Sequence, residues 1–388
     1  MKTPTLPISS FCKTGSGTTP SREKHDRYFN GSIPWVKSGE LREAIITETS
    51  ESVTEEALAE TSLKIAPKGS VLVAMYGANV GRVGILGIAA TTNQAVCYLI
   101  PEKDKADSRY IFHALQQKLP EFISRSVGGA QPNINQQIIR EAKIFFPPIA
   151  EQKRIAEILD RTQSLISKRK EAIAKLDTLT QSIFIEMFGD PESILNLWTT
   201  QKLGSLLEFL TSGSRGWASY YAESGDLFLR IQNVRWDELL LDDIAFVKAP
   251  ISAEATRTKV KAGDVLLSIT ADLGRTAVVP EGISTAYINQ HLAILRPKSI
   301  QSRFLSAYFA SPSGRRQVQG RNQQGVKAGL NFDAIRSFLI PCPPLPLQKE
   351  FAQRVEAVEK LKATHHASLS ELQALFASLQ HRAFRGEL

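Results

Sequence analysis

Residues 147–155 read Pro-Pro-Ile-Ala-Glu-Gln-Lys-Arg-Ile, and residues 343–351 read Pro-Pro-Leu-Pro-Leu-Gln-Lys-Glu-Phe. The second stretch lies 196 positions after the first (344 − 148) in a chain of 388 residues. The repeat extends well past the prolines. Lys68-Gly69-Ser70-Val71-Leu72-Val73 answers Ala262-Gly263-Asp264-Val265-Leu266-Leu267, and Val80-Gly81-Arg82 answers Leu273-Gly274-Arg275. Asn93-Gln94 answers Asn289-Gln290, Asn135 answers Asn331, and Arg140 answers Arg336. The chain therefore reads as two diverged copies of one unit of about 190 residues, and any fold must be a fold made twice.

Within each copy the texture changes once. The first part mixes short β-branched runs (SVLVAMYG, DVLLSITA) with Gly and Asn loops and helical stretches such as RYIFHALQQKL, the pattern of a mixed α/β domain with hairpins. After the Pro-Pro pair the pattern turns helical, because prolines at a helix entrance remove N–H groups that have no partner there. Helices are expected from Glu151 to Phe188, stopped by Gly189-Asp190-Pro191, and from Leu347 to Phe384, with Gly386 beyond. The chain divides on this reading into an α/β domain at 1–150, a helix and linker at 151–194, a second domain at 195–346 and a second helix at 347–388.

Both helices carry a 4-3 repeat, the period of a coiled-coil seam rather than of a lone surface helix. In the first it runs Ile155, Leu159, Thr162, Ile166, Arg169, Ile173, Leu176, Thr180, Ile183, Met187. Adding 196 gives Phe351, Val355, Val358, Lys362, His365, Leu369, Leu372, Phe376, Leu379, Ala383. Equivalent helices, each following its own domain, bury both seams most simply by pairing antiparallel. The expected architecture is α/β (α+β): two mixed α/β domains related by a pseudo-twofold axis and joined by an antiparallel coiled coil roughly 57 Å long at 1.5 Å per residue.

Composition adds exclusions. The net charge is +8, carried by the segments 1–150 (17 basic, 14 acidic) and 191–346 (17 and 13), while 151–190 balances at 7 and 7. The basic surplus thus sits on the two domains, where a nucleic-acid partner would use it. Cys12, Cys97 and Cys342 are scattered and lack Cys-x-x-Cys spacing, which argues against a disulfide framework or a zinc site and suits a reducing cytosol. No apolar run approaches the length of a membrane span, and the first residues lack a signal-peptide core, so a cytoplasmic protein without membrane contact is expected.

Catalytic groups are missing. There is no Gly-x-x-x-x-Gly-Lys-Ser/Thr loop for a nucleotide. Phe145-Phe146-Pro147-Pro148 shares only its prolines with the Asp/Asn-Pro-Pro-aromatic motif of amino-methyltransferases. Glu151-x-Lys153 resembles part of a nuclease motif, but its repeat mate Leu347-x-Lys349 has no carboxylate, and an acid at a helix N-terminus is explained by the macrodipole. The six histidines show no His-x-x-x-His spacing. No catalytic residue, metal site or bound cofactor is expected on this chain.

The ordered set of motifs resembles the specificity subunit of type I restriction–modification enzymes over essentially the whole chain. Its carriers are the twofold repeat, the Pro-Pro…Gln-Lys helix entrances, the segment Asn30-Gly31-Ser32-Ile33-Pro34-Trp35-Val36-Lys37-Ser38-Gly39-Glu40-Leu41, and the strand–loop from Val71 to Arg82. The resemblance implies two target-recognition domains, each reading one half of a bipartite site in double-stranded DNA. It also implies paired helices that act as spacer and as docking surface for two methyltransferase subunits, joined by restriction subunits in some complexes. S-adenosylmethionine, ATP and magnesium are then expected on those partners only. The second copy is read as replacing Ile33-Pro34-Trp35-Val36 with Leu227-Phe228-Leu229-Arg230, and Met75-Tyr76-Gly77 with Thr270-Ala271-Asp272.

DNA contact needs cations for phosphates and groups that reach base edges. From Lys298 to Phe332 there are six basic residues and no Asp or Glu, including Arg315, Arg316 and the amide-rich loop Arg321, Asn322, Gln323, Gln324, Lys327. Arg and Lys suit guanine, and Asn and Gln suit adenine. The first copy's corresponding loop supplies Arg125, Gln131 and Asn133; solvated turns are the alternative for both loops. Tyr76, Asn79, Arg82 and Arg275 are further candidates, as is Lys37, which reads equally as a surface lysine. Asn93-Gln94 and Asn289-Gln290 recur in both copies and are read as structural. A free-standing two-headed DNA-binding regulator is the other reading of the same features.

Overall fold

Val71–Ala74 and Val265–Ser268 are buried along their whole length, as near-continuous apolar runs without alternation require. In the computed structural model, which describes residues 5–42, 44–124, 133–321 and 329–388, each is an interior strand of a mainly antiparallel sheet. Successive side chains of a strand point to opposite faces. Val71 and Val73 accordingly join a core with Ile8, Phe11, Tyr110 and Leu115, whereas Leu72 and Ala74 join another with Val36, Ala66 and Ala90. Val265 and Leu267 part from Leu266 in the same way.

The chain forms two compact units, Met1–Lys170 with Ala367–Leu388, and Glu171–His366. In the first unit the main sheet runs in the order Cys12–Ser16, Val96–Pro101, Val71–Ala74, Val83–Leu86, Ile45–Ile46, antiparallel but for the last pair. In the second the order is Leu207–Ser212, Leu292–Pro297, Val265–Ser268, Thr276–Val278, antiparallel throughout. A smaller sheet accompanies each, with Phe29–Val36 between Glu51–Val53 and Thr91–Thr92 in one, and Asp226–Leu229 between Ala245–Val247 and Ala286–Ile288 in the other. The domain's first and last strands close on each other, Thr5–Pro7 with Lys143–Phe145 and Thr200–Lys202 with Leu339–Pro341.

The duplicated helix entrance is a clip. Gln152 is fully buried: its Nε2 donates to the Pro147 and Lys105 carbonyls (2.8 and 3.1 Å), and its Oε1 accepts from the Asp107 N–H at 3.0 Å. Gln348 repeats this with the Pro343 carbonyl (2.7 Å) and the Gln301 N–H (2.9 Å). One amide thus ties the helix start to the domain, and a buried amide so satisfied has few substitutes. The neighbouring Lys153 and Lys349 are exposed.

The two helices span Ile149–Phe188 and Leu345–Ala383, each starting two residues before the sequence expectation, and the second ending one residue short of it. Every position of the expected seam is buried or half-buried, including the polar Arg169 and His365. In the first unit Ile155 and Leu159, near the start of one helix, share a core with Phe376, Leu379 and Ala383, near the end of the other. In the second, Phe351 lies 5.7 and 5.3 Å from the rings of Phe184 and Phe188, and Lys362 meets Asp177 at 2.7 Å. Start packs on end in each unit, so the pairing is antiparallel.

The structure corrects the alignment between copies. Asn93 N donates to the Val36 carbonyl and Asn289 N to that of Leu229, so Leu229 stands where Val36 does and Arg230 where Lys37 does. Likewise Ile134 N bonds the Met75 carbonyl and Leu330 N that of Ile269, so Ile269-Thr270-Ala271 is the counterpart of Met75-Tyr76-Gly77. The sequence reading was one residue out at both places, because short loops between the anchor motifs differ in length.

Candidate nucleic-acid interface

After Val71–Ala74 the chain leaves the sheet in a tight hairpin. Gly77 takes φ +71°, the turn Gly77–Asn79 follows, and Gly81 N and Ala74 N bond back to the Ala74 and Arg82 carbonyls at 2.8 and 2.9 Å. The hairpin presents Tyr76, 40% exposed, with Asn79 half-buried and Arg82 exposed. Asn133 forms an isolated antiparallel bridge with Tyr76, which brings it onto the hairpin. A Cβ placed on Gly39 would lie 4.0 Å from Asn79 Nδ2, so the turn beginning at Lys37 borders the same patch. Five of the sequence candidates, Lys37, Tyr76, Asn79, Arg82 and Asn133, therefore converge on one hairpin and its neighbours.

Lys37 caps the turn Ser38–Glu40, its N–H bonding Glu40 Oε2 at 2.7 Å. Its Nζ lies 2.6 Å from Glu51 Oε1, and the Arg22 guanidinium 2.7 Å from Glu51 Oε2. The hydrogen bond from Lys37, with the Arg22 contact beside it, holds the Glu51 carboxyl below the usual range against the opposing effect of burial. Two cations share the Glu51 carboxylate, with Glu40 as the second carboxylate of this edge.

The second unit builds the same frame with other side chains. Arg230 caps the turn Ile231–Asn233, as Lys37 does, and its Nη2 donates to the Asp243 carbonyl at 3.2 Å. Thr270 replaces Tyr76 and bonds His291 Nδ1 at 2.5 Å. Arg275, mostly buried, pairs with Asp272 and reaches the Val234 carbonyl, beside the Arg230 turn. Arg230 was missed by the sequence reading; a one-residue shift in the repeat alignment would have found it.

Three further candidates spend donors on the protein itself. Arg315 stacks 3.7 Å from the Trp236 ring centroid and donates Nε to the Ala310 carbonyl, and burial pulls its pKa down. Arg316 pairs with Glu192 at 2.9 Å. Arg321 donates Nε to Ser337 Oγ at 2.9 Å, over the Phe338 ring. Arg125, Gln131, Asn322, Gln323, Gln324 and Lys327 lie outside the described residues.

The recurrent Asn93 and Asn289 stand at close backbone crossings. A Cβ on Gly17 would meet the Thr92 carbonyl oxygen at 1.8 Å, and one on Gly213 the Asn289 carbonyl oxygen at 2.1 Å, so glycine at 17 and at 213 is a requirement of the fold. Among the described residues no group of His, Cys, Asp and Glu is arranged to hold a metal, and no helix is long and apolar enough to cross a membrane.

Comparison with known proteins falls on this frame. The family described as type I restriction modification DNA specificity domain matches residues 5–176 and again 198–374. The type I restriction enzyme MjaIX specificity subunit of Methanocaldococcus jannaschii is 24% identical over 98% of this chain and 92% of its own length. The EcoKI specificity subunit of Escherichia coli K12 is 25% identical over 98% and 88%. Among solved structures, the type I restriction–modification S subunit from M. genitalium superposes with a TM-score of 0.61 at 16% identity, covering 98% of this chain and 96% of that one. A chain from a structure of type I R-M complex assembly gives 0.61 at 19%, covering 99% and 98%.

Proposed function

The chain belongs to the type I restriction–modification DNA specificity family, twice over, and from that premise we propose how its own residues divide the work. The protein is the sequence-recognising subunit of such a system; each unit reads one half of a bipartite site in double-stranded DNA. The observation that carries this is the paired hairpin. The same strand, turn and cap recur in both units, while the side chains they present differ: Tyr76 against Thr270, Asn79 against Asp272, Lys37 against Arg230. A constant frame with variable side chains suits two different half-sites, with phosphate contacts fixing register and hairpin side chains meeting base edges.

Methylation and cleavage belong, on this reading, to partner subunits in the cytoplasm: two methyltransferase subunits that carry S-adenosylmethionine, and restriction subunits that carry ATP and magnesium. The long helices supply the docking face. Off the seam, Leu165 and Leu375 are exposed in the first unit, and Leu361 and Leu179 in the second. These are repeat mates at a spacing of 196, so each unit offers the same leucine pair, as a partner bound twice would require.

Co-expression with the neighbouring methyltransferase subunit, followed by genome-wide mapping of modified bases, tests the reading. A split motif of fixed gap is expected, since both units are built on the same two helices, and exchanging residues 195–346 for those of a relative should alter one half only. A continuous motif would refute it.

A further inference from the structure

Two equivalent junctions between domain and helix are finished differently. In the first unit His113 is buried against Phe376 of the second long helix, ring centroids 6.2 Å apart, with its Nε2 2.7 Å from Asp160 Oδ1. The counterparts in the second unit, at the helix offset of 196 and the domain offset of 194, are Thr180 and Ala307. Both are small, and a cavity of about 320 Å³ stands between them, lined also by Phe184, Trp236, Asp237 and Arg315.

The walls state what would fit. Asp237 Oδ1 is buried and has no hydrogen-bond donor among the described residues; its nearest cation, Arg303 Nη1, is 3.8 Å away, and the side chain is only 11% exposed. A buried acceptor left open is a standing cost unless a ligand or water supplies the donor. Phe184 and Trp236 offer apolar walls. Arg303 beside Asp237, Arg315 on Trp236 and Lys362 on Asp177 offset the two carboxylates of the lining, Asp237 and Asp177. The occupant that satisfies this set is a neutral ring with one N–H or O–H, the make-up of the tryptophan and tyrosine anchors that dominate protein interfaces. Trp236 is 38% exposed, and Thr180 adjoins the exposed Leu179 of the docking face.

We propose that this cavity is a socket for one tryptophan or tyrosine side chain of the methyltransferase subunit, present in the second unit and filled from within in the first. The inference rests on the docking reading above and makes the two docking sites unequal: the second unit takes up its methyltransferase first. The filled junction of the first unit holds its partner through the leucine pair alone.

The test is stepwise addition of the methyltransferase subunit to the full chain, with 1:1 and 2:1 complexes counted by native mass spectrometry. Two binding steps at least tenfold apart are expected. Thr180→Phe, which copies the first unit's solution, should weaken the stronger step about tenfold and bring the two together; Thr180→Ala, which keeps the cavity, should leave them apart. Ala307→Met fills the space from the other wall and serves if Thr180→Phe does not fold. Unchanged steps in a folded, cavity-filled variant mean that the space holds only water, and sink the socket. A wild-type chain that binds no methyltransferase sinks the docking reading itself.

Discussion

The two units share a backbone and disagree about how to satisfy it. Beneath the second unit's main sheet, Asp264 is fully buried and receives Arg296 through two bonds of 2.6 and 2.7 Å. The first unit has Ser70 and Ile100 at those places, and Ser70 only caps its own turn through the Pro67 carbonyl. The helix Ser108–Ser124 runs on through Pro120 in one unit, whereas its counterpart is broken at Ser311-Pro312 into Ser302–Ala310 and Pro312–Gly320. What both units keep is the part that no neighbour can supply: the Gln152 and Gln348 clips, the Gly17 and Gly213 crossings, and the Asn135 and Asn331 caps of short helices. Conserved between copies are devices for backbone polar groups and close approach; what fills the volume between them is free to drift.

The largest test of that contrast is Asp264→Ala. It strands Arg296 largely buried and should cost the second unit about 3–5 kcal/mol in denaturant unfolding. The double change Asp264→Ser with Arg296→Ile installs the first unit's arrangement and should restore stability to near wild type; failure of that rescue would show the two cores are not interchangeable. Next is pH. Burial raises the Asp237 carboxyl to about 6, against the opposing pull of Arg303 and of the Ser306 hydroxyl, with Glu359 and Glu238 adding to the rise. A carboxyl that binds its proton more tightly when folded adds stability that is complete below its unfolded pKa of about 4 and gone above about 6. Wild type should therefore gain up to about 3 kcal/mol on Asp237→Asn as the pH falls from 7.5 to 4, a slope that unfolding of both proteins across that range would reveal.

Smaller effects probe the shared devices. Gln152→Ala and Gln348→Ala should each cost about 1–3 kcal/mol by leaving a buried N–H without an acceptor, and the two losses should be alike, since the clips are alike. Smallest is the exchange at the hairpin, where Gly77 and Ala271 occupy one left-handed position at φ +71° and +59°. Nothing lies within 4 Å of a Cβ on Gly77, so Gly77→Ala should cost about 1 kcal/mol of backbone strain and no clash, and Ala271→Gly should be neutral or slightly stabilising.

The same contrast explains what could be read from sequence. Helices, seam and duplication were legible because period and repetition are one-dimensional: Ile155 to Ala383 fell on the buried face as the 4-3 pattern required. The frame of the candidate interface was legible in part, since Tyr76, Asn79, Arg82 and Asn133 came from two stretches of the first copy that the fold brings together. The state of each cation was not. Sequence shows that Arg315, Arg316 and Arg321 are charged; only the fold shows Trp236, Glu192 and Ser337 waiting beside them. Arg230 escaped because loop lengths differ by one residue between copies, and a register of one residue decides which side chain caps a turn. The cavity was out of reach altogether, being a property of two small residues, Thr180 and Ala307, far apart in the chain.

The first unit takes its last helix turns from Ala367–Leu388, although the rest of it is complete at Lys170. During synthesis those residues follow 197 positions later (367 − 170), a wait of roughly 10–40 s at ribosomal speeds. Ile155 and Leu159 are made early, and the Phe376 and Leu379 that cover them only after the whole second unit. The second unit, Glu171–His366, is continuous, so all of it is made before the first unit receives its remaining residues. A product that stops short of Ala367 is defective at its beginning, and the exposed half-seam is what a chaperone or protease would meet.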